Sequence, residues 1–140
     1  MTKLEKPMKF ARIAAILALP AVLSLPAQAA TEANFAVQTT GDLVALCSAD
    51  SKEAMGVAAL NFCHGFVVGA VRVQQMRGEA SKRGRMFCLP EPPTMTRDAA
   101  IAEFVTWARA EPARLTAKPF DSMFQYLSGK YPCQAPKKGM

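Results

Sequence analysis

Apolar positions along the chain are densest between Ser51 and Arg77, in the run SKEAMGVAALNFCHGFVVGAVRVQQMR, which no proline interrupts. Met55, Ala59, Phe62, Cys63, Phe66, Ala70 and Val73 recur at intervals of three and four, the period of one helix face. Val57, Leu60, Val67 and Val71 add a second apolar flank, and between Val57 and Val71 only Asn61 and His64 are clearly polar. A helix that is apolar on nearly all sides needs cover on most of them. The run is interrupted and falls short of the roughly 20 apolar residues of a bilayer span. The pattern therefore predicts a central helix wrapped by the other elements. Gly65 and Gly69 lie on one face of it. A glycine inside a helix costs about 1 kcal/mol relative to alanine, so the pair points to close backbone approach. The neighbour is a helix of the same chain or, as the alternative, a second copy across a homodimer seam.

Weaker patterns flank this helix. Residues 30–39 show no periodicity and read as a flexible leader. Thr40 is suited to cap a first helix, with Asp42 in the first turn, where the helix dipole favours negative charge. Leu43, Val44, Leu46 and Cys47 form its apolar side, and Asp50-Ser51 reads as the turn into the central helix. Beyond the central helix, Leu89-Pro90-Glu91-Pro92-Pro93 is held extended by its prolines. Thr94 or Thr96 caps a third helix, with Ala100, Ile101, Phe104, Val105, Trp107 and Ala108 on its apolar side. Trp107, the only tryptophan, is expected as a core anchor. Pro112 stops or bends that helix, and Pro119 opens a fourth, along which Phe120, Met123, Phe124 and Leu127 repeat up to Gly129. Residues 134–140 read as a disordered tail. No stretch carries a strand pattern. The expected fold is all-α, a small disulfide-bonded bundle of about four to five helices around one long central helix, in residues 40–133.

Residues 1–29 have a different character. Lys3, Lys6, Lys9 and Arg12 form a basic start that Glu5 dilutes, Ile13 to Leu25 is a short apolar run broken by Pro20, and Ala27-Gln28-Ala29 supplies small residues. This is the layout of a secretory signal peptide cut after Ala29; an uncleaved anchor is the alternative, for which the apolar run is short. The chain holds 17 basic and 11 acidic residues, a net charge of +6. Cleavage would remove four of the first and one of the second, leaving 111 residues with a net charge of +3. That length makes one domain. So small a balance on an exported chain argues against nucleic acid as a partner, and signal cleavage would leave no membrane segment.

Cys47, Cys63, Cys88 and Cys133 all lie in the mature part. An even count in a small exported chain points to two disulfides, each contributing about 2–4 kcal/mol. A zinc site would need a spacing such as CxxC, which does not occur. Chain geometry favours the pairing Cys63–Cys88 with Cys47–Cys133. The Gly78–Phe87 segment spans up to ~33 Å when extended, enough to return over the ~21 Å from the helix end to Cys63. A tight hairpin at Asp50 would instead set Cys47 opposite about residue 55.

Catalytic chemistry finds little support. His64 is the only histidine, and an oxidised Cys63 beside it lacks the thiolate that a nucleophile needs. No phosphate-binding glycine loop, HExxH or CxxCH occurs, so no enzyme, cofactor or metal is expected. The one strongly charged run, GEASKRGRM from Gly78 to Met86, gathers Lys82, Arg83 and Arg85 just after Arg77. A solvated connecting loop is the plain reading. A docking loop for an acidic groove on a partner is the functional one.

The cysteine frame with its surroundings resembles a known family. Thr40-Gly41-Asp42-Leu43 leading to Leu46-Cys47, Cys63-His64-Gly65-Phe66-Val67-Val68-Gly69, Cys88-Leu89-Pro90 and Tyr131-Pro132-Cys133 are similar to the Rap/Tai family, small exported immunity proteins of type VI secretion systems. The resemblance covers about residues 40–133. It implies an all-helical, disulfide-bonded, periplasmic and often dimeric protein that binds and blocks a secreted effector, a peptidoglycan amidase in characterised members. The matching positions are cysteines, glycines and helix caps, so the resemblance assigns no contact residues. A periplasmic stress chaperone and a structural subunit of an envelope complex are the rival readings.

Overall fold

The computed structural model describes residues 29–80 and 84–133. The expected signal peptide up to Gln28 and the expected tail at 134–140 lie outside the described residues. A 3-10 turn at Glu32–Ala36 precedes α1 (Thr40–Cys47), α2 (Gly56–Ala80), α3 (Arg97–Arg109), α4 (Pro112–Thr116) and α5 (Pro119–Lys130). The fold is all-α, with no strand among the described residues.

Local chemistry sets each boundary. Thr39, one residue before the expected cap, is the N-cap of α1. Its hydroxyl accepts from the Asp42 N–H at 3.2 Å, and the Asp42 carboxylate accepts from the Thr39 N–H at 2.9 Å, a reciprocal capping box. Thr40 is thereby free to point inward, where its hydroxyl lies 2.9 Å from the Ser122 hydroxyl and 3.0 Å from the Ala117 carbonyl. Thr40 and Ser122 are both buried, and this bonding offsets the cost of removing their hydroxyls from water. Thr96 caps α3 by accepting from the Ala99 N–H at 3.2 Å. Pro112 and Pro119 open α4 and α5 in their first turns, and α5 continues past Gly129 to Lys130.

Leu43 and Leu46 of α1 are fully buried, and Ile101, Phe104, Val105 and Ala108 of α3, with Met123 of α5, close over them. The short α1 packs against each of the other helices and against the 3-10 turn. Within the expected leader, residues 30–39, this turn reaches the bundle: Ala30 is buried and Phe35 packs on the core. Trp107 sits at the rim of the core. It lies 6.1 Å from Phe104, the Arg114 guanidinium covers its ring at 4.0 Å, and Arg114 donates to its carbonyl at 2.7 Å.

The long helix α2 is present as predicted, but it is not wrapped. Ala59, Cys63 and Ala70 are its buried apolar side chains, while Val57, Val73 and Met76 are at least half exposed. The expectation that it is too short for a bilayer also needs correction. Over Gly56–Glu79 it is long and apolar enough to cross a membrane by length and composition. Here the apolarity serves several surfaces: one face lies on α1, Phe66 reaches Phe120 of α5, and the side carrying Val57, Val73 and Met76 is exposed.

The expected disulfide pairing is overturned. Cys47 bonds to Cys63 with Cα atoms 5.1 Å apart, and Cys88 bonds to Cys133 with Cα atoms 4.9 Å apart. The tight hairpin assumed at Asp50 does not form. The chain winds through turns from Ser48 to Met55, with the Asp50 carbonyl accepting from Glu53 at 3.0 Å and the Glu53 carbonyl from Gly56 at 3.0 Å. A side chain at Gly56 would overlap the Asp50 carbonyl, so only glycine fits this crossing. Helix α2 thus begins at Gly56 rather than at Ser51, and α1 docks farther along it, with Cys47 level with Cys63.

Candidate functional site

The outward face of α2 is an apolar surface that the other described residues leave partly uncovered. Phe62, Phe66, Gly69, Val73 and Met76 alternate spacings of four and three, which at 100° per residue puts them along one stripe. Aromatic contacts tie this stripe to the bundle. Phe35 meets Phe62 edge-on at 5.4 Å, Phe66 stacks on Phe120 at 4.8 Å, and Phe120 lies 6.1 Å from Phe124. Phe62 and Phe120 are nonetheless 37% and 47% exposed. The stripe is therefore rigidly backed and wet on its outer side. A contiguous apolar patch of this kind on a folded domain marks a contact surface.

Gly65 and Gly69 fall on and beside the stripe. Both are exposed, and a side chain added at either would meet nothing within 4 Å. Among the described residues, no helix of the same chain packs against this pair, contrary to the first of its two readings. The glycines form a shallow notch open to a partner.

The basic cluster is divided. Arg77 is exposed in the last turn of α2, and Arg85 pairs with Glu79 at 3.1 Å. Lys82 and Arg83 lie outside the described residues. Gly78 is buried beneath Arg85, which folds back over the helix end. The chain then enters Cys88, whose N–H donates to the Tyr131 carbonyl at 2.9 Å next to the Cys88–Cys133 bridge. So both ends of the basic segment are anchored, one by α2 and the other by α5.

Titratable groups elsewhere serve the fold. His64 Nε2 lies 3.3 Å from Asp98 Oδ1 and links α2 to α3. Burial pushes the Tyr126 phenol up, with the nearby Tyr131 adding to it, and the Tyr126 hydroxyl donates to Glu103 at 3.0 Å. Lys130 pairs with the same Glu103. All four cysteines are bonded, and among the described residues no three His, Cys, Asp or Glu side chains gather as a metal site would require. The aromatic backing of α2 escaped the sequence reading, because Phe35 and Phe120 reach it from elements distant in the chain. The spacing of Phe62, Val73 and Met76 was its one visible sign.

No curated protein and no solved structure matches the chain. The family model of the Rap1a immunity proteins matches residues 39–133, from the Thr39 cap to the last bridged cysteine. That interval contains all five described α-helices and both disulfides, and the chain belongs to the Rap1a immunity protein family.

Proposed function

We propose that this protein is exported through a cleaved signal peptide and acts in the periplasm as the immunity partner of a type VI effector, a peptidoglycan amidase. It acts by binding, without catalysis. The family match over the whole folded domain carries this reading, and two disulfides in so small a chain agree with an oxidising compartment. Two copies pair through α2, crossing at Gly65 and Gly69, where the absence of side chains lets backbones approach closely. Pairing covers Val73 and Met76 and leaves the basic segment around Arg77, Lys82, Arg83 and Arg85 to meet the acidic groove of the effector. Electrostatic complementarity of that kind speeds encounter and fixes orientation.

Co-expression with amidases encoded at neighbouring loci tests the proposal. Pull-down of one of them and rescue of the host from lysis are expected; neither occurring with any neighbour would reject it. The exposed stripe is also what a chaperone would use to hold unfolded clients. Suppression of client aggregation at acidic but not neutral pH, without effector binding, would favour that rival.

A further inference from the structure

On the flank of α2 away from the stripe, a second apolar surface is concave. Val67 and Val71 form one wall, the segment from Leu89 to Thr96, which bends at Glu91-Pro92 and Thr94-Met95 instead of running extended as expected, forms the other, and the floor is Ile101, Phe104 and Met123. Those floor residues are themselves core, each no more than 5% exposed. The cavity measures about 470 Å³, within the roughly 300–1,000 Å³ typical of small-molecule sites. It persists because of the sequence of its outer wall. Pro90, Pro92 and Pro93 supply no N–H and bar helix formation, so this segment stands off the bundle instead of filling the gap.

The mouth carries charge of mainly one sign. Arg72 from α2 and Arg97 from the first turn of α3 both line it and both are exposed. Among the described residues, neither stands in an ion pair: Glu79, Glu103 and Glu111 pair with Arg85, Lys130 and Arg114, and Asp98 lies against His64. Glu91 is the one carboxylate on the rim, which leaves an excess of positive charge. The N-terminus of α3 adds to it through the aligned peptide dipoles. A recessed apolar floor with a cationic mouth matches a slender chain ending in an anion. A flat protein surface would not reach the floor.

We propose that this groove binds a long-chain carboxylate, its aliphatic chain laid over Ile101, Phe104 and Met123 and its head met by Arg72 and Arg97. This site is distinct from the α2 stripe, and the proposal stands whether or not the immunity reading does.

Titration calorimetry and methyl NMR of the disulfide-intact protein, with dodecanoate below its micelle concentration, test the proposal. Expected is saturable one-to-one binding that shifts the methyl signals of Ile101 and Met123. Dodecanol and dodecyltrimethylammonium should bind more weakly. Reversing both rim charges, Arg72→Glu with Arg97→Glu, should weaken dodecanoate binding about tenfold, since two exposed charge contacts are replaced by repulsion. Both positions are exposed, so the variant keeps the fold. Val71→Trp, which fills the groove, should abolish binding, with circular dichroism confirming the helices. Val73→Ser on the stripe should leave it unchanged. Absence of saturable binding, equal binding of the cationic probe, or loss through Val73→Ser would overturn the proposal. So would shifts of the groove methyls caused by an effector protein but not by dodecanoate, which would assign the groove to a protein.

Discussion

Cys47, at the end of α1, is bonded to Cys63 on the buried face of α2, and Cys63 is completely shielded from solvent. The second bridge, Cys88–Cys133, joins two partly exposed residues at the edge of the bundle. Thiol attack requires access to a sulfur, so the bridges should open in sequence. Both residues of the outer bridge are partly exposed, whereas in the inner one only Cys47 is, so under mild dithiothreitol Cys88 and Cys133 become alkylated first and the Cys47–Cys63 bridge opens more slowly. Opening the outer bridge alone releases a loop of sequence separation 45 and should cost about 3–4 kcal/mol. Peptide mapping by mass spectrometry reads both points. A Cys63–Cys88 peptide, or alkylation of Cys63 ahead of Cys133, would contradict the packing of α1 on α2.

Glycines in and beside α2 should respond in opposite directions. Gly56→Ala places a methyl group on the Asp50 carbonyl and should cost about 1–3 kcal/mol, as overpacking does. Gly65→Ala and Gly69→Ala add a methyl group into open space, and each should stabilise the isolated fold by about 0.5–1 kcal/mol. Urea denaturation at low protein concentration measures all three. A destabilised Gly69→Ala would mean that a neighbour already touches this face.

The same contrast shows what the sequence discloses. The helix starts at Thr96 and Pro119 and the stop ahead of Pro112 were legible because capping and proline chemistry act within a few residues, whereas the short α4 that Pro112 opens was not. The long α2 and the all-α class were legible from periodicity. Disulfide pairing was not, because it depends on how far the Ser48–Met55 connection delays α2, and no local signal marks Gly56 as the crossing point. Nor was the exposure of α2. An apolar position states that water is unfavourable there, not which surface will exclude it. Val73 on the stripe, Val71 in the groove and Ala70 in the core lie within one helical turn and look alike in the chain. Of the candidate site, the glycine pair was visible, whereas its aromatic backing by Phe35 and Phe120 arises from tertiary contact alone.

If the stripe is the seam between two copies, a charge on it should separate them without harming either. Val73→Glu and Met76→Glu alter side chains that are 50% and 62% exposed, so thermal stability of each subunit should change by no more than about 0.5 kcal/mol. Light scattering behind size exclusion is expected to show the wild type at twice the chain mass and the double variant at one. A wild type that remains a monomer at high micromolar concentration would remove the dimer and leave the stripe to another partner.

Asp42 should make the stability of α1 depend on pH. Burial draws its carboxyl upward, but hydrogen bonds from the Asn34 side chain, the Thr39 N–H and hydroxyl, and the Gln38 backbone outweigh this and hold it below the usual range. Asn34 and Thr39 donate to it at 2.9 Å. The folded-state value therefore lies under the unfolded one of about 3.9. The carboxylate contributes stability that is fully present above the unfolded value and is lost as pH falls through the folded one. Asp42→Asn keeps the shape and removes the charge. At pH 7 it should be less stable by about 1 kcal/mol, the ordinary worth of a capping interaction, and the gap to the wild type should narrow below about pH 4. Because α1 packs against every other helix, the loss should appear as one cooperative shift in urea denaturation, not as fraying of the leader. A gap that persisted unchanged at pH 3 would assign the effect to shape instead of charge. Equal stabilities at pH 7 would mean that the hydrogen bonds around Asp42 only offset its burial.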